Sequence, residues 1–421
     1  MKQNMTRRTF LKTAGTMAVA VSAAGLFTGC DAILDGMTGG LESGGDASVP
    51  DTPSDAKIIW TIKDNGGGTA TLTGYDKTGP QPSGYVIIPS QVSGRTITAI
   101  NANFGDCTGW ARATIPGSVK GIDKFGYCPN MKVFTLEEGV EYISSSVFLN
   151  WSGLTSLSIP RSLKNIYDSA FSGCENLRAV SFPDTMEYIG ISAFSGTALE
   201  EVVLPKNARV VSGAFSKLST LKRVVIGEGD SFEGRYRGVF EGCTNLEQVV
   251  FNGSVNGLAT SMFYGCTSLK SITLPYGMKK IESYAFGETG LQTISLPLTI
   301  TKLENGVFYA CKSLTSVSGL TASIQLGNSI FRNTGLTKFA LPDGLQTIPK
   351  STFYDCKKLK SVYIPVSVKR VEEYAFNNCP SLKSVYYGGY LENWRAMYVE
   401  GSGTALFNAN VYGPCTASDL K

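Results

Sequence analysis

A phenylalanine recurs at a nearly constant interval through two thirds of the chain. Seven of the twelve intervals are 23 residues and the others are 21, 22 or 25. The recurring residues are Phe104, Phe125, Phe148, Phe171, Phe194, Phe215, Phe240, Phe263, Phe286, Phe308, Phe331, Phe353 and Phe376. A fixed period of this length is typical of proteins in which each unit stacks on the next. The recurrence therefore predicts one stack of about thirteen coils, in place of two or three globular domains.

A cysteine stands three positions after the phenylalanine in eight coils, and a leucine usually follows three positions later. The cysteines are Cys107, Cys128, Cys174, Cys243, Cys266, Cys311, Cys356 and Cys379. Three coils carry threonine in place of the cysteine, at Thr197, Thr289 and Thr334. Each of these coils is also one residue shorter between the threonine position and the leucine, and the interval to the next phenylalanine is only 21 or 22 residues. Cysteine packs as a small hydrophobic residue and is usually buried. We predict a column of buried free thiols; the alternative is disulfides between adjacent coils, such as Cys243 with Cys266, since neighbouring strands lie about 4.8 Å apart.

Each coil also contains a short stretch of alternating apolar and polar residues that ends in proline. Leu154 to Pro160 and Leu269 to Pro275 are examples. Alternation with period two indicates a strand with one buried face, and proline ends it because it cannot donate to a ladder. Ahead of the first coil, Ile58, Trp60 and Ile62 alternate before a glycine-rich turn. This pattern predicts a hairpin that caps the stack.

The repeating unit resembles the BspA-like branch of the leucine-rich repeats, as in IPRSLKNIYDSAFSGCENL (159–177) and in Pro365 to Leu382. The resemblance implies a repeat solenoid, a leucine-rich-repeat stack of short strands with little helix. It divides the chain into an N-terminal capping segment (57–100), repeats (101–387) and a C-terminal cap (388–421). It also implies adhesion, because BspA-like proteins are associated with binding to host or bacterial surface proteins.

The first 30 residues resemble an export signal. TRRTFLK, with Arg7 and Arg8, resembles the twin-arginine motif, and LFTGC resembles a lipoprotein processing site that would place a lipid on Cys30. Plain cleavage without lipidation is one alternative, and a signal that is uncleaved or cut elsewhere and happens to contain a cysteine is another. Residues 31–56 carry six acids, no base, and much Gly and Ser, which predicts a flexible tether.

Charge and composition exclude several classes of function. The formal net charge of +4 equals the four bases of residues 1–30, so the remainder is neutral and shows no basic footprint for nucleic acid. The chain has no histidine, which excludes Ser-His-Asp triads and HExxH zinc sites. We therefore expect no enzyme activity, no cofactor and no metal site, although carboxylate-pair or Ser-Lys chemistry stays open as a rival.

Two groups of outward-facing residues are candidate partner-binding sites. Val203, Val225 and Val250 follow one another in consecutive coils, beside a loop (227–238) that carries Arg235 and Arg237. An apolar stripe rimmed by charge is typical of interaction sites; ordinary strand propensity with a loop insertion is the alternative.

The second group is aromatic and lies near the C-terminus, where Tyr363 and Tyr386 occupy the same position of adjacent coils. Tyrosine is favoured at recognition surfaces, although capping of the last coil also explains these residues.

Taken together, these features predict an exported, lipid-anchored protein of the cell surface. Its partners would be host matrix or bacterial surface proteins, or glycans, and Cys30 would attach it to the membrane. A structural envelope protein that binds no partner is the other rival.

Overall fold

The computed structural model describes residue 54 and residues 57–105, 107–206, 208–227, 237–401 and 405–420. The predicted export signal with Arg7, Arg8 and Cys30 lies outside the described residues, as do Arg235 and all of the predicted tether except Ser54. In the described ranges no helix is both long and apolar enough to cross a membrane.

The described chain is a β-solenoid of about 14 turns with almost no helix, which confirms the predicted fold class. Two series of short strands run along it, and strands of successive coils pair in parallel. We call them ladder A and ladder B. Ladder B contains β1 (Trp60–Gly66), β2 (Thr69–Tyr75), β4 (Gln91–Val92), β5 (Arg95–Asn101), β7 (Gly121–Lys124), β9 (Tyr142–Ile143), β11 (Asn165–Ile166), β12 (Tyr188–Ile189), β14 (Arg209–Val210), β17 (Gly257–Leu258), β18 (Lys280–Ile281), β20 (Lys302–Leu303), β22 (Gln325–Leu326), β24 (Thr347–Ile348), β26 (Arg370–Val371) and β28 (Tyr398–Val399).

Ladder A is formed by stretches whose alternating residues predict strands, Leu154 to Pro160 among them; the prediction is wrong for Leu269 to Pro275, which forms no strand. It contains β3 (Gly84–Ile87), β6 (Trp110–Ile115), β8 (Val133–Leu136), β10 (Ser156–Ser158), β13 (Glu201–Val203), β15 (Arg223–Gly227), β16 (Gln248–Asn252), β19 (Thr293–Ser295), β21 (Ser316–Ser318), β23 (Lys338–Ala340), β25 (Ser361–Ile364), β27 (Ser384–Tyr387) and β29 (Asn410–Tyr412). Both ladders are interrupted, so they form seven sheets in the described chain.

The two ends of the described stack differ from the middle. At the N-terminal end β1 and β2 pair antiparallel, as the alternation predicted. At the C-terminal end the chain forms a short helix α1 (Leu391–Ala396) and two 3-10 segments, Ala405–Asn408 and Ala417–Asp419. Between them β28 pairs with β26 and β29 pairs with β27. The segment that was predicted only to cap the stack therefore adds a further coil to it.

The recurring phenylalanines form a continuous column in the core, as predicted. All thirteen side chains are completely buried. The ring centroids of successive members lie 4.6 to 6.1 Å apart. Aromatic pairs at such distances contribute about 0.5–1.5 kcal/mol beyond the burial of their area. Because each ring packs on the rings of the neighbouring coils, no coil has a complete core of its own.

From the Phe148 coil onward, the backbone around each phenylalanine forms a turn with two left-handed residues, which the repeat pattern does not predict. We call the segment from three residues before the phenylalanine to two after it the phenylalanine turn. In the Phe148 coil, Ser146 and Asn150 have φ angles of 60° and 59°. The amides of Ser146, Phe148 and Asn150 donate to carbonyl oxygens of the next coil at 2.8 to 2.9 Å. The same positions are left-handed from the Phe148 coil to the Phe376 coil. The turns thus add a third line of hydrogen bonds between coils.

The cysteine column is buried, and six of its eight members are free thiols, as predicted. Each of the six donates a hydrogen bond to the phenylalanine carbonyl oxygen of the preceding coil; the Cys174 thiol, for example, lies 3.2 Å from that of Phe148. The others are Cys243, Cys266, Cys311, Cys356 and Cys379. Cysteine fits this position because it is small, apolar and a weak donor.

The prediction of free thiols is wrong for the first two cysteines, because Cys107 and Cys128 form a disulfide with a Cα–Cα distance of 4.9 Å. They are 21 residues apart, whereas the two other cysteine pairs in adjacent coils, Cys243–Cys266 and Cys356–Cys379, are 23 apart and remain free. The longer coils leave their thiols directed at backbone oxygens.

Candidate binding surfaces

The three valines of the first predicted site are neighbours in ladder A. Val203 is aligned with Val225, and Val225 with Val250, across the parallel strands β13, β15 and β16. The prediction that they form an exposed stripe is only partly correct. Val203 is 47% exposed, but Val250 is half-buried and Val225 is only 6% exposed. Val225 lies on the central strand, between a valine on each side, and cross-strand neighbours of this size cover one another.

Arg237 belongs to the start of a coil and not to a free loop. Its backbone amide donates to the Ser212 hydroxyl at 3.2 Å, its carbonyl oxygen accepts from the Gly213 amide at 2.9 Å, and it forms a β-bridge with Thr260. The residue is exposed. Arg235 lies outside the described residues. Of the two arginines predicted to border the valine site, the structure therefore locates only Arg237.

The two tyrosines of the second predicted site are aligned across β25 and β27, and a third joins them. Tyr363 pairs with Tyr386, and Tyr386 pairs with Tyr412 on β29. The rings of Tyr386 and Tyr412 stack with centroids 5.5 Å apart. Tyr412 was missed, although Asn410-Val411-Tyr412 repeats the Ser-Val-Tyr pattern of the two preceding coils.

Exposure within this tyrosine row increases toward the C-terminal end. Tyr363 is 6% exposed, so the expectation that it faces solvent is wrong; its hydroxyl donates to Asp343 at 3.3 Å. Burial and the Asp343 carboxylate together raise the pKa of Tyr363. Tyr386 is half-buried and Tyr412 is 47% exposed. These last two line an open cleft of about 440 Å³ with Pro414, Cys415 and Asp419.

A further row of side chains, absent from the sites predicted from sequence, lies on the phenylalanine turns. Five consecutive coils contribute one residue each, and we call the row the turn stripe: Tyr284, Tyr309, Arg332, Tyr354 and Tyr374. Each stands one position after its phenylalanine or two positions before it. The Phe-Tyr dipeptides at 308–309 and 353–354 were the available signal.

The members of the turn stripe contact one another in order along the stack. The ring centroids of Tyr284 and Tyr309 are 5.8 Å apart, and those of Tyr354 and Tyr374 are 6.5 Å apart. The Arg332 guanidinium lies between the two pairs, 5.8 Å from the centroid of Tyr309 and 4.5 Å from that of Tyr354. Tyr284 and Tyr374 are exposed and the central three are half-buried. Cation–π contacts of this kind hold the arginine in one orientation.

A shorter row of tyrosines lies nearer the N-terminus. Tyr142, Tyr167 and Tyr188 have successive centroids 6.4 and 5.7 Å apart, and the Arg209 guanidinium lies 5.9 Å from the Tyr188 ring. In this row a carboxylate of the chain itself already contacts a tyrosine, because the Tyr188 hydroxyl donates to Asp168 at 3.3 Å. Burial raises the pKa of Tyr188, and Asp168 adds to the effect.

The buried thiols of the cysteine column are weak nucleophiles. Burial raises the pKa of the Cys174, Cys243 and Cys379 thiols to about 12, so they stay protonated and weakly nucleophilic at neutral pH. Among the described residues, no three Cys, Asp or Glu side chains are grouped so that they could hold a metal ion.

Comparison with known proteins agrees with this fold. Residues 98–222, 235–325 and 324–396 match the model of the BspA type leucine rich repeat region, in six copies. A leucine-rich repeat protein from Bacteroides ovatus ATCC 8483 is 21% identical, with a TM-score of 0.52 over 86% of this chain and 99% of that chain.

Two other solved structures are similar at lower scores. A leucine rich cell surface protein from Faecalibacterium prausnitzii A2-165 is 20% identical, with a TM-score of 0.46 over 85% of this chain and 100% of that one. The pneumococcal vaccine antigen PcpA is 18% identical, with a TM-score of 0.39 over 86% of this chain and 97% of that one. No curated protein is significantly similar in sequence. Since the repeat model matches more than half of the sequence, the chain belongs to the BspA-type leucine-rich-repeat family.

Proposed function

We propose that this chain is an exported, lipid-anchored protein of the bacterial cell surface whose solenoid binds other proteins. The twin-arginine pattern at Arg7 and Arg8 and the processing pattern at Cys30 support export and anchoring. The acidic tether that follows would hold the solenoid away from the membrane. The solenoid itself supports binding, because it presents a long surface on which side chains of successive coils are aligned.

One observation carries the binding role. Large aromatic side chains are exposed at the C-terminal end of the described stack, where Tyr390, Tyr398, Phe407 and Tyr412 are 47 to 68% exposed. Tyrosine and phenylalanine are enriched at protein interfaces, so exposed side chains of these types support a binding role.

The binding role is tested with the purified chain and immobilised host matrix proteins and bacterial surface proteins. We expect saturable binding that is weakened in a variant carrying Tyr398→Ser, Phe407→Ser and Tyr412→Ser. The matched control carries Tyr276→Ser and Leu298→Ser, which remove side chains that are 80% and 72% exposed elsewhere on the stack. Absence of saturable binding would contradict the proposal and favour a purely structural envelope protein.

The anchor is tested by fractionation of cells that express the chain. Cys30→Ser should release the protein from the membrane fraction while leaving it exported, and Arg7→Lys with Arg8→Lys should keep it inside the cell. A Cys30→Ser protein that remains in the membrane fraction would contradict lipid anchoring.

Glycan binding is the second candidate, and the cleft beside Tyr386 and Tyr412 favours it. Aromatic rings beside an acid, here Asp419, can stack on a sugar and accept hydrogen bonds from its hydroxyls. A glycan array probed with the purified chain distinguishes the two: glycan binding that Tyr412→Ala removes, without binding to proteins, would support this candidate over the first.

A further inference from the structure

The turn stripe contains an arginine whose side chain has no ionic or hydrogen-bond partner among the described residues. Five residues of the phenylalanine turns in its five coils are charged: Glu288, Arg332, Lys350, Asp355 and Glu373. Arg332 contacts the rings of Tyr309 and Tyr354 but forms no salt bridge or side-chain hydrogen bond with any described residue. The guanidinium therefore has its planar donors available to a carboxylate from another molecule.

The other four charges each have a partner. Glu288 accepts from the Tyr264 hydroxyl at 2.5 Å, and Lys350 lies 2.8 Å from Glu373. Asp355 accepts from the Asn378 amide at 2.5 Å and lies 3.6 Å from Lys357. Arg332 is thus the one charged residue of these turns whose side chain lacks a polar partner within the described chain, which makes the stripe complementary to a single negative charge.

The neighbouring charges also limit what can bind. With two basic and three acidic side chains, the five turns carry one more acid than base. A long polyanion such as a sulfated or uronic glycan would bring further negative charges against Glu288 and Asp355, which is unfavourable. A peptide with one carboxylate and apolar neighbours avoids this repulsion and covers the tyrosine rings.

We propose that the turn stripe binds a protein segment that presents one Asp or Glu carboxylate to Arg332 and apolar side chains to Tyr309 and Tyr354. The inference rests on the proposed protein-binding function and adds a second contact site, apart from the C-terminal aromatic residues, with the chemistry of the partner segment that binds there. Tyrosine and arginine, with tryptophan, are enriched among the residues that dominate the energy of protein interfaces. The two rings hold the guanidinium in place, which lowers the entropy that binding must remove.

The test begins with a random linear peptide library displayed on phage and selected on the immobilised full chain. Recovered peptides are synthesised with their acidic residue intact or replaced by the matching amide, and binding is measured by fluorescence anisotropy. The variants are Arg332→Ala and, as matched control, Arg178→Ala, which removes an exposed arginine paired with Glu200 on another part of the stack. Circular dichroism melting curves check that each variant folds.

We expect selected peptides to share one acidic residue with apolar neighbours. Arg332→Ala, or the amide in the peptide, should weaken binding by about tenfold, as loss of a charge-assisted hydrogen bond does. The two changes together should weaken it little more than either alone, because they remove the same contact. Arg178→Ala should have no effect.

Other results overturn the inference in distinguishable ways. Peptides that bind Arg332→Ala as tightly as the unchanged chain would place the site elsewhere and leave the proposed function standing. If no peptide is enriched but surface proteins bind, equal binding of those proteins to Arg332→Ala would also overturn it. Failure of both peptides and surface proteins to bind would remove the proposed function together with the inference.

Discussion

The first coils and the central coils of the stack bury the same phenylalanine column but pack it differently. From Phe171 to Phe331 the successive rings are stacked, with interplanar angles of at most 16°. At the N-terminal end the angle is 65° between Phe104 and Phe125 and 47° between Phe125 and Phe148. The repeat thus determines the positions of the rings, whereas their orientation depends on the side chains packed around them.

The difference arises from the neighbouring columns. In the Phe148 coil Trp151 occupies the cysteine position, and in the Phe104 coil Trp110 occupies the leucine position. Both indoles are fully buried and contact the phenylalanine rings at 4.7 to 6.0 Å. In a close-packed core, side chains of this size leave less room for the phenylalanine rings beside them to stack in parallel. The N-terminal coils also hold the Cys107–Cys128 disulfide, which the central coils replace with thiol hydrogen bonds.

The largest expected effect is the loss of one ring from the regular stack. Phe263→Ala should lower the free energy of unfolding by about 3–5 kcal/mol, because the buried side chain leaves a cavity between two coils. Urea denaturation followed by circular dichroism measures the change. Tyr276→Ala, which removes a side chain that is 80% exposed, should change stability by less than about 0.5 kcal/mol. Equal midpoints for Phe263→Ala and the unchanged chain would contradict the column.

The next largest effect concerns the N-terminal coils. Replacing Cys107 and Cys128 together with alanine should destabilise these coils by about 3 kcal/mol, the value typical for a disulfide that closes a loop of this length. Hydrogen exchange measured by mass spectrometry should show faster exchange near residues 100–150, with little change beyond Phe240, since each coil contacts only its neighbours. Uniform acceleration along the chain would show that the two regions are not independent.

A smaller effect is expected from one thiol of the central coils. Cys266→Ala should cost about 1 kcal/mol, because it removes a small buried group and its hydrogen bond to the Phe240 carbonyl oxygen at 3.3 Å. The Phe240 oxygen keeps the Cys243 amide as a donor, which limits the loss. Chemical denaturation measures it, with Cys415→Ala, at a half-exposed thiol, as the control. A loss of unfolding free energy as large as that of Phe263→Ala would show that the thiols stabilise the stack by more than filling space in the core.

The smallest effects should come from surface ion pairs, and here the two regions should not differ. Lys120 lies 3.1 Å from Glu141 near the N-terminus, and Lys350 lies 2.8 Å from Glu373 in the C-terminal half. Lys120→Ala and Lys350→Ala should each change the free energy of unfolding by less than about 1 kcal/mol, since exposed pairs are screened by solvent. Thermal melts at low and high salt check this. A large, salt-sensitive loss in one region alone would reveal a dependence on surface charge.

The interior of the stack was predictable from sequence because it is repeated. The same sequence pattern recurs in many coils for the phenylalanine column, the ladder A strands and the buried thiols. A departure from the pattern in one coil therefore does not hide it. The disulfide was not predictable in this way. Cys107 and Cys243 occupy the same position of their coils, and each is followed by a cysteine in the next coil. The two pairs differ in sequence spacing, which is 21 residues for Cys107–Cys128 and 23 for Cys243–Cys266.

The surface was less predictable for a physical reason. Whether an outward side chain such as Val225 or Tyr363 is exposed depends on the size of its neighbours on the adjacent coils, which the pattern of one coil does not contain. The left-handed residues of the phenylalanine turns were missed because serine, asparagine, lysine and tyrosine all adopt that conformation here. Arg332 was missed because its role depends on tyrosines in two other coils.

The central claim is that the coils form one continuous stack with the cysteine column inside it, so that binding falls to the outer surface. Thiol labelling of the folded chain, read by mass spectrometry at each cysteine, tests this most directly. Among the described cysteines, Cys415 should label in the native state, the six column thiols only after unfolding, and Cys107 and Cys128 only after reduction. Native labelling of Cys243 or Cys266 as fast as that of Cys415 would contradict the stack.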